Sequence, residues 1–171
     1  MKILALIPIA AALALCGCQT TGTNSTSSAA LQAITNPNNL AIAAQDSVNA
    51  GVALILARNP SYQPALVGLA DSLAAIASSN PAQLSSSDVA AILGKSGISG
   101  SDAEEIQVAI VTAQGVFLSA FKGTSLPQLK PIYTLFLDAI ANGIYLATGK
   151  PTITLPVVPV PAPAATPAPS S

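Results

Sequence analysis

The sequence predicts an all-α protein, a small helical bundle of four longer helices and one short helix. Apolar residues recur at helical spacing through residues 37–149, which is typical of helices packed around a common core. Proline disfavours helical geometry in the residue before it but is accepted at a helix start. Asn-Pro dipeptides therefore mark boundaries between helices, and they occur at Asn36-Pro37, Asn59-Pro60 and Asn80-Pro81.

The first three helices are predicted over 39–58, about 64–78 and 86–95. In each of the first two, apolar residues form one stripe and polar residues face away from it. The third is short and begins at a capping box, because Asp88 follows Ser85 by three residues. The stripes of the first two helices are Leu40, Ala44, Val48, Val52 and Ile55, and Leu66, Leu69, Leu73 and Ile76.

The fourth helix is predicted to begin at a second capping box, Ser101 and Glu104, and to end at Gly123. A helix that is apolar on most sides is usually buried, so we expect this helix to lie at the centre of the bundle. Its uncharged part, 106–121, is too short and too polar to favour a membrane span. Its main stripe is Ile106, Ile110, Ala113, Phe117 and Phe121.

The fifth helix is predicted over 131–147, after a short turn at 126–130, with Gly149 as its stop. We expect one face to point into the core and the opposite face, with Thr134, Asp138 and Asn142, to point outward. The inward residues are Ile132, Phe136, Ile140 and Ile144.

Two segments without helical patterning flank the helical domain. Residues 18–36 begin with a cysteine and continue as a small, polar, flexible tether. Residues 150–171 are rich in proline among Val and Ala, which favours an extended polyproline II tail. The apolar first part of this tail could instead pack on the helices. The tail is a candidate site for a protein partner, and the alternative is a spacer or a disordered end.

The first 18 residues carry the pattern of an export signal. Lys2 is followed by an apolar run over 3–15, and the chain then reads Leu15-Cys16-Gly17-Cys18. This segment resembles the signal of bacterial lipoproteins, whose lipobox reads Leu, a variable residue, Gly or Ala, and then the lipidated Cys. The resemblance implies a signal peptide over 1–17, cleavage between Gly17 and Cys18, and a diacylglyceryl group on the thiol of Cys18.

Other interpretations of this segment fit less well. An ordinary secretory signal would need a site such as Ala12-Leu13-Ala14, but these residues lie inside the apolar run. An uncleaved membrane helix needs about 20 apolar residues, more than the run contains. A disulfide between Cys16 and Cys18 would not staple the fold, and cleavage of the signal would separate the two residues.

The lipoprotein resemblance implies an exported protein held on a membrane by lipid. One acyl chain anchors only marginally, whereas two or three chains on Cys18 would hold the protein without a transmembrane helix. Gln19 follows Cys18, which in a Gram-negative host resembles lipoproteins that are forwarded to the outer membrane. In another host the protein would lie on the outer face of the plasma membrane.

The residue inventory disfavours catalysis, metal binding and nucleic-acid binding. The chain has no histidine, and lipidation would consume the one cysteine left after cleavage, so we expect no enzyme, no cofactor and no zinc site. A net charge of −1 without a basic patch argues against nucleic-acid binding. The acids within 99–105 are explained by a helix start rather than by calcium. Asp71 and Asp138 are the only loose candidates for paired carboxylates, and we expect both to be solvated.

We therefore expect a non-catalytic structural or protein-interaction domain in the cell envelope, with a partner bound through the tail or the helices. Its high hydrophobicity also allows self-association. One alternative is a carrier or sensor of a hydrophobic ligand, with a cavity between the fourth and fifth helices lined by Phe117, Phe121 and Phe136. Another alternative is a membrane-perturbing protein that inserts the helix at 106–121. The tyrosines Tyr62, Tyr133 and Tyr145 should lie at the edge of the core.

Overall fold

The computed structural model describes residues 36–79, 81, 83–121 and 126–159 and shows an all-α fold. Within these residues there are five α-helices and no strand, and four of the helices are long, as the sequence predicts. A 3₁₀ turn, Pro60–Tyr62, joins the first two helices. The helices are α1 (Pro37–Arg58), α2 (Gln63–Ser79), α3 (Ser86–Lys95), α4 (Gly100–Ser119) and α5 (Leu126–Thr148).

The Asn-Pro dipeptides shape both ends of α1. Pro37 occupies the first helical position, and the Asn36 side chain caps the helix by accepting a hydrogen bond from the Asn38 N–H at 2.9 Å. The helix therefore begins two residues before the predicted start. Asn59 ends it, immediately before Pro60.

One of the two predicted capping boxes is confirmed and the other is wrong. The Ser85 hydroxyl accepts from the Asp88 N–H, and the Asp88 carboxylate accepts from the Ser85 N–H at 2.9 Å. In α4, by contrast, Gly100 takes a left-handed φ of 71° and begins the helix before Ser101, so the Ser101 hydroxyl cannot reach the capping position. The helix ends at Ser119, and Gly123 lies outside the described residues.

The central helix is α5, so the prediction that the fourth helix lies at the centre is wrong. Every residue from 135 to 145 is buried, whereas α4 exposes Val108 and Val116 to solvent. The start of α5 also differs, because 126–130 is helical and Pro131 lies inside the helix. Pro131 is exposed and lies in the second turn of the helix, where it removes one backbone hydrogen bond.

Helix α5 packs mainly against α1 and α2, and it makes its most extensive contacts with these two helices. Two side-chain contacts show that α2 and α5 are antiparallel: Gln63 donates to the Thr148 carbonyl at 2.8 Å, and Thr134 donates to the Ala77 carbonyl at 3.4 Å. Helix α3 packs on α4, and this second pair meets α1, α2 and α5 along narrower contacts. The buried residues of α3 and α4 belong to the same hydrophobic core as those of α1, α2 and α5.

Residues 151–159 form an extended segment, the strap, that runs back along the core helices. Asn142 of α5 donates to the Ile153 carbonyl (2.7 Å) and accepts from its N–H (2.8 Å). Asn38 of α1 makes the same pair of bonds to Val158, at 2.9 and 3.1 Å. The first part of the Pro-rich tail is thus part of the folded domain. Its end lies beside the start of α1, so the main described stretch of the chain, from Asn36 to Pro159, begins and ends at the same end of the domain.

Candidate functional site

The described residues contain an apolar cleft between α1 and α4, with a volume of about 360 Å³. Residues 44–58 of α1 form one wall and residues 105–113 of α4 form the other, while Ile140 and Ile144 of α5 form the floor. Among the residues that line it, Ser47, Arg58 and Glu105 are the polar ones. The cleft is therefore lined almost entirely by aliphatic side chains.

Short side chains explain why this space is open. Small residues line both walls: Ala44, Ser47, Gly51 and Ala57 on α1, and Ala109 and Ala113 on α4. None of these side chains is long enough to fill the gap between two helices that touch only lightly. The cleft is thus built into the sequence of both helices, through small residues at positions where a packed core would carry Leu or Ile.

Polar contacts hold α1 and α4 together at one end of the cleft. Arg58 Nη2 donates to Glu105 Oε2 at 3.0 Å and lies 3.9 Å from Asp102 Oδ1, while Asn59 donates to Asp102 at 3.0 Å. The hydrogen bond to Glu105 raises the pKa of the Arg58 guanidinium above its ordinary value. Because the guanidinium is half-exposed, this end of the cleft is polar and faces water.

Aromatic packing holds α4 at the other end. One turn beyond Ala113, Phe117 packs against Phe136 of α5 with ring centroids 4.7 Å apart and against Phe121 at 5.2 Å. All three rings are buried. None of these phenylalanines lines the cleft, which lies between α1 and α4 and not between the fourth and fifth helices.

The two candidate carboxylates differ in environment. Asp71 is exposed, as predicted, and accepts a hydrogen bond from the Tyr145 hydroxyl at 2.7 Å. Asp138 is buried, so its predicted solvation is wrong, and burial raises the pKa of its carboxyl to about 6. The pKa of the Tyr145 hydroxyl is raised to about 12. Burial is the largest cause, and the hydrogen bond to Asp71 is the second. Neither carboxylate lines the cleft.

Asn142 is also buried, so the prediction from the helical pattern that its side chain points outward is wrong. Sequence reasoning also missed that Asn142, Asn38 and Gln114 share one role. Each pairs its side-chain amide with the N–H and C=O of one extended residue; for Gln114 this residue is Leu84, at 3.0 Å for both bonds. For Gln114 a signal was available, because it follows Ile110 by four residues, where helical spacing calls for an apolar residue. For Asn142 the helical spacing itself placed the side chain on the outward face.

Helix α1 is long and apolar enough to cross a membrane by length and composition, and it is the one such helix in the described part of the chain. Only 22% of its most apolar window is buried. Ile42 and Leu54 contribute large exposed side chains. A signal sequence or the core helix of a soluble protein meets the same criteria, so this observation is weak support for a membrane span.

The predicted lipid attachment at Cys18 and the cleavage between Gly17 and Cys18 lie outside the described residues. Within those residues, no group of three or more His, Cys, Asp or Glu side chains lies close enough together to hold a metal ion. Compared with known proteins, the chain matches no family model, no curated protein and no solved structure.

Proposed function

We propose that the protein is a lipid-anchored, non-catalytic binding protein of the bacterial cell envelope that holds an apolar ligand between α1 and α4. The cleft is the observation that carries this proposal. Its volume of about 360 Å³ falls in the range of small-molecule sites, roughly 300–1,000 Å³. Such sites are typically apolar with a few polar groups, and here the polar groups are concentrated at the Arg58 end.

The cleft is an unfilled gap that is partly open to solvent. Where helices pack closely, side chains interdigitate and few voids larger than a water molecule remain, so the walls of this cleft lack the contacts that close packing would give. The cleft corresponds to the volume of roughly a dozen water molecules, yet its aliphatic walls offer few hydrogen bonds to water. An apolar ligand would bury these walls away from water and make the van der Waals contacts that they lack, so its binding would be favourable.

The proposed anchor and the cleft are compatible in space. A tether from Cys18 would enter the domain at Asn36, the capping residue of α1. Arg58 lies at the other end of that helix, about 32 Å away at 1.5 Å per residue. A domain held at Asn36 would therefore leave the polar end of the cleft far from the attachment point and open to the surrounding solution.

A protein-interaction module is the second candidate function. Large apolar side chains are exposed on α1 and α4, namely Ile42, Leu54, Val108 and Val116. A partner that covered them would bury apolar surface, and so would a second copy of this chain. This candidate does not require the cleft to be occupied, and the two functions are therefore separable by experiment.

Native mass spectrometry of the protein extracted from bacterial membranes tests the binding function. We expect a non-covalent apolar adduct on the wild-type protein. Ala109→Phe places a ring in the middle of the cleft and should abolish the adduct. Ala75→Phe, at an exposed position of α2, is the matched control and should retain it. An adduct retained by Ala109→Phe, or no adduct on any of the three proteins, would contradict the proposal.

A further inference from the structure

We propose that the cleft takes a single unbranched acyl or alkyl chain, with an uncharged polar head at the Arg58–Glu105 end. This inference rests on the proposed function, because it names the class of ligand that the same cleft would hold. Three properties of the cleft support it: its width, the position of its polar groups, and the charge of those groups.

The width of the cleft selects a chain. The α1 wall from Ala44 to Arg58 is about 21 Å long, and the α4 wall from Glu105 to Ala113 is about 12 Å long. A volume of about 360 Å³ spread over such lengths makes the cleft narrow on average, which suits a long, thin ligand better than a bulky one. A helix is about 10 Å across and would fill roughly 1,600 Å³ over 21 Å, so it could lie along the open side of the cleft but not within it. A flexible hydrocarbon chain fits both the length and the width.

The polar groups give the chain a direction. Both charged lining residues, Arg58 and Glu105, lie together at one end. Ala44 and Ala113 mark the other end, where the hydroxyl of Ser47 is the one polar side chain among the lining residues. Burying a polar head among aliphatic residues would cost free energy, while at the Arg58 end the head can stay hydrated. The terminal methyl group would therefore lie towards Ala44 and Ala113.

The charge balance at the polar end disfavours an anionic head. Arg58 contributes one positive charge, and Asp102 and Glu105 contribute two negative charges within 4.0 Å of it. The guanidinium is already paired, and the excess charge is negative, so a carboxylate or phosphate monoester would be repelled. An uncharged head can instead accept hydrogen bonds from guanidinium N–H groups that point to solvent.

Photo-crosslinking in isolated membranes that contain the full chain tests the position and direction of the ligand. The probe is a monolauroylglycerol with a diazirine either at the end of its chain or next to its head. We expect the chain-end probe to label the peptides around Ala44 and Ala113, and the head-side probe to label those around Arg58 and Glu105. Ala109→Phe should reduce both labels at least tenfold, and Ala75→Phe should leave them unchanged.

Charge variants test the head group with a matched pair. A photoreactive laurate should label wild-type protein less than the glycerol ester does. Glu105→Gln removes one negative charge from the polar end, and we expect labelling by laurate to rise about fivefold, the effect of one charge about 4 Å away in water. Glu104→Gln removes a charge from an exposed residue of the same helix that does not line the cleft, and it should have a smaller effect.

The outcomes separate this inference from the function on which it rests. A rigid fused-ring apolar probe that labels the cleft as well as the laurate ester would overturn the single-chain ligand and leave the binding function intact. Reversed labelling by the two ester probes, or stronger labelling of wild type by laurate, would overturn the orientation or the uncharged head. If Ala109→Phe left the labelling of the protein by every probe unchanged, both the inference and the binding function would be overturned.

Discussion

At the residue scale, α1 and α5 pack closely at Gly143 because glycine has no side chain. A Cβ atom on Gly143 would lie 2.5 Å from the Gln45 carbonyl oxygen and 2.8 Å from the Val48 Cβ. Both atoms belong to the rigid part of α1, so the helices would have to separate. Gly143 is therefore a packing requirement of the core.

Gly143→Ala should lower the free energy of unfolding by about 2 kcal/mol, because the overpacking outweighs the helical preference of Ala. Gly115→Ala is the matched control, since a Cβ there meets nothing within 4 Å and the residue lies inside α4. That variant should gain about 0.5–1 kcal/mol. Denaturant unfolding measures both, and equal effects of the two variants would refute the close-contact explanation.

Asp138 should make stability depend on pH. Its folded-state pKa of about 6 lies above the unfolded value of about 3.9, so the folded state binds the proton more tightly. This contribution is fully present below about pH 4 and is lost as the pH rises through about 6. Because solvent screens part of the effect, we expect a loss of about 1 kcal/mol.

The comparison with Asp138→Asn isolates this effect from the other acids. The variant should be more stable than wild type at pH 7, and the difference should shrink towards pH 4 as Asp138 takes up its proton. Urea unfolding of both proteins across this range is the measurement. A stability difference that does not change with pH would show that the carboxyl titrates normally.

At the scale of helices and strap, local sequence signals had mixed success. The Asn36-Pro37 dipeptide marked the start of α1 to within two residues and the Ser85–Asp88 box was predicted, whereas the Ser101–Glu104 box failed because the helix begins earlier, at Gly100. The start of α5 was predicted too late, at Pro131, because this proline is accepted inside a helix whose remaining residues are held by the core. The burial of Asn142 depends on the strap, which is remote from the helical pattern around it.

The strap should be released when its amide contact is removed. Asn142→Ala deletes both bonds to Ile153, and we expect a loss of about 1–2 kcal/mol in stability together with faster hydrogen exchange at the Ile153 amide. Asn39→Ala, at an exposed position of α1, is the control and should change neither quantity. Unchanged protection of Ile153 in Asn142→Ala would mean that apolar packing, and not the amide pair, holds the strap.

At the scale of the whole molecule, the helical stripes predict the fold class and most of the core but not the position of α4. Ile106, Ile110 and Phe117 are buried as expected, yet the helix lies at the side of the bundle. A stripe shows which face of a helix is covered, but it does not specify how closely the neighbouring helix approaches. The cleft is lined by small residues on two helices that are far apart in sequence. The sequence pattern could not predict it, because only the tertiary arrangement brings these two helices side by side.

The whole-molecule account also depends on where the domain is held. The strap ends beside the start of α1, and an anchor at Cys18 would hold the domain by that same end. The Pro-rich tail would then begin near the membrane and not at the far end of the domain. A partner bound by the tail would accordingly lie close to the bilayer.

The intact mass of the protein extracted from bacterial membranes tests the anchor most directly, measured beside a Cys18→Ala variant. The account predicts the mass of residues 18–171 plus two or three acyl chains, with the lipid lost in the variant. A product without lipid that is cut elsewhere, or one that retains its first 17 residues, would contradict the anchor and the envelope location proposed from it.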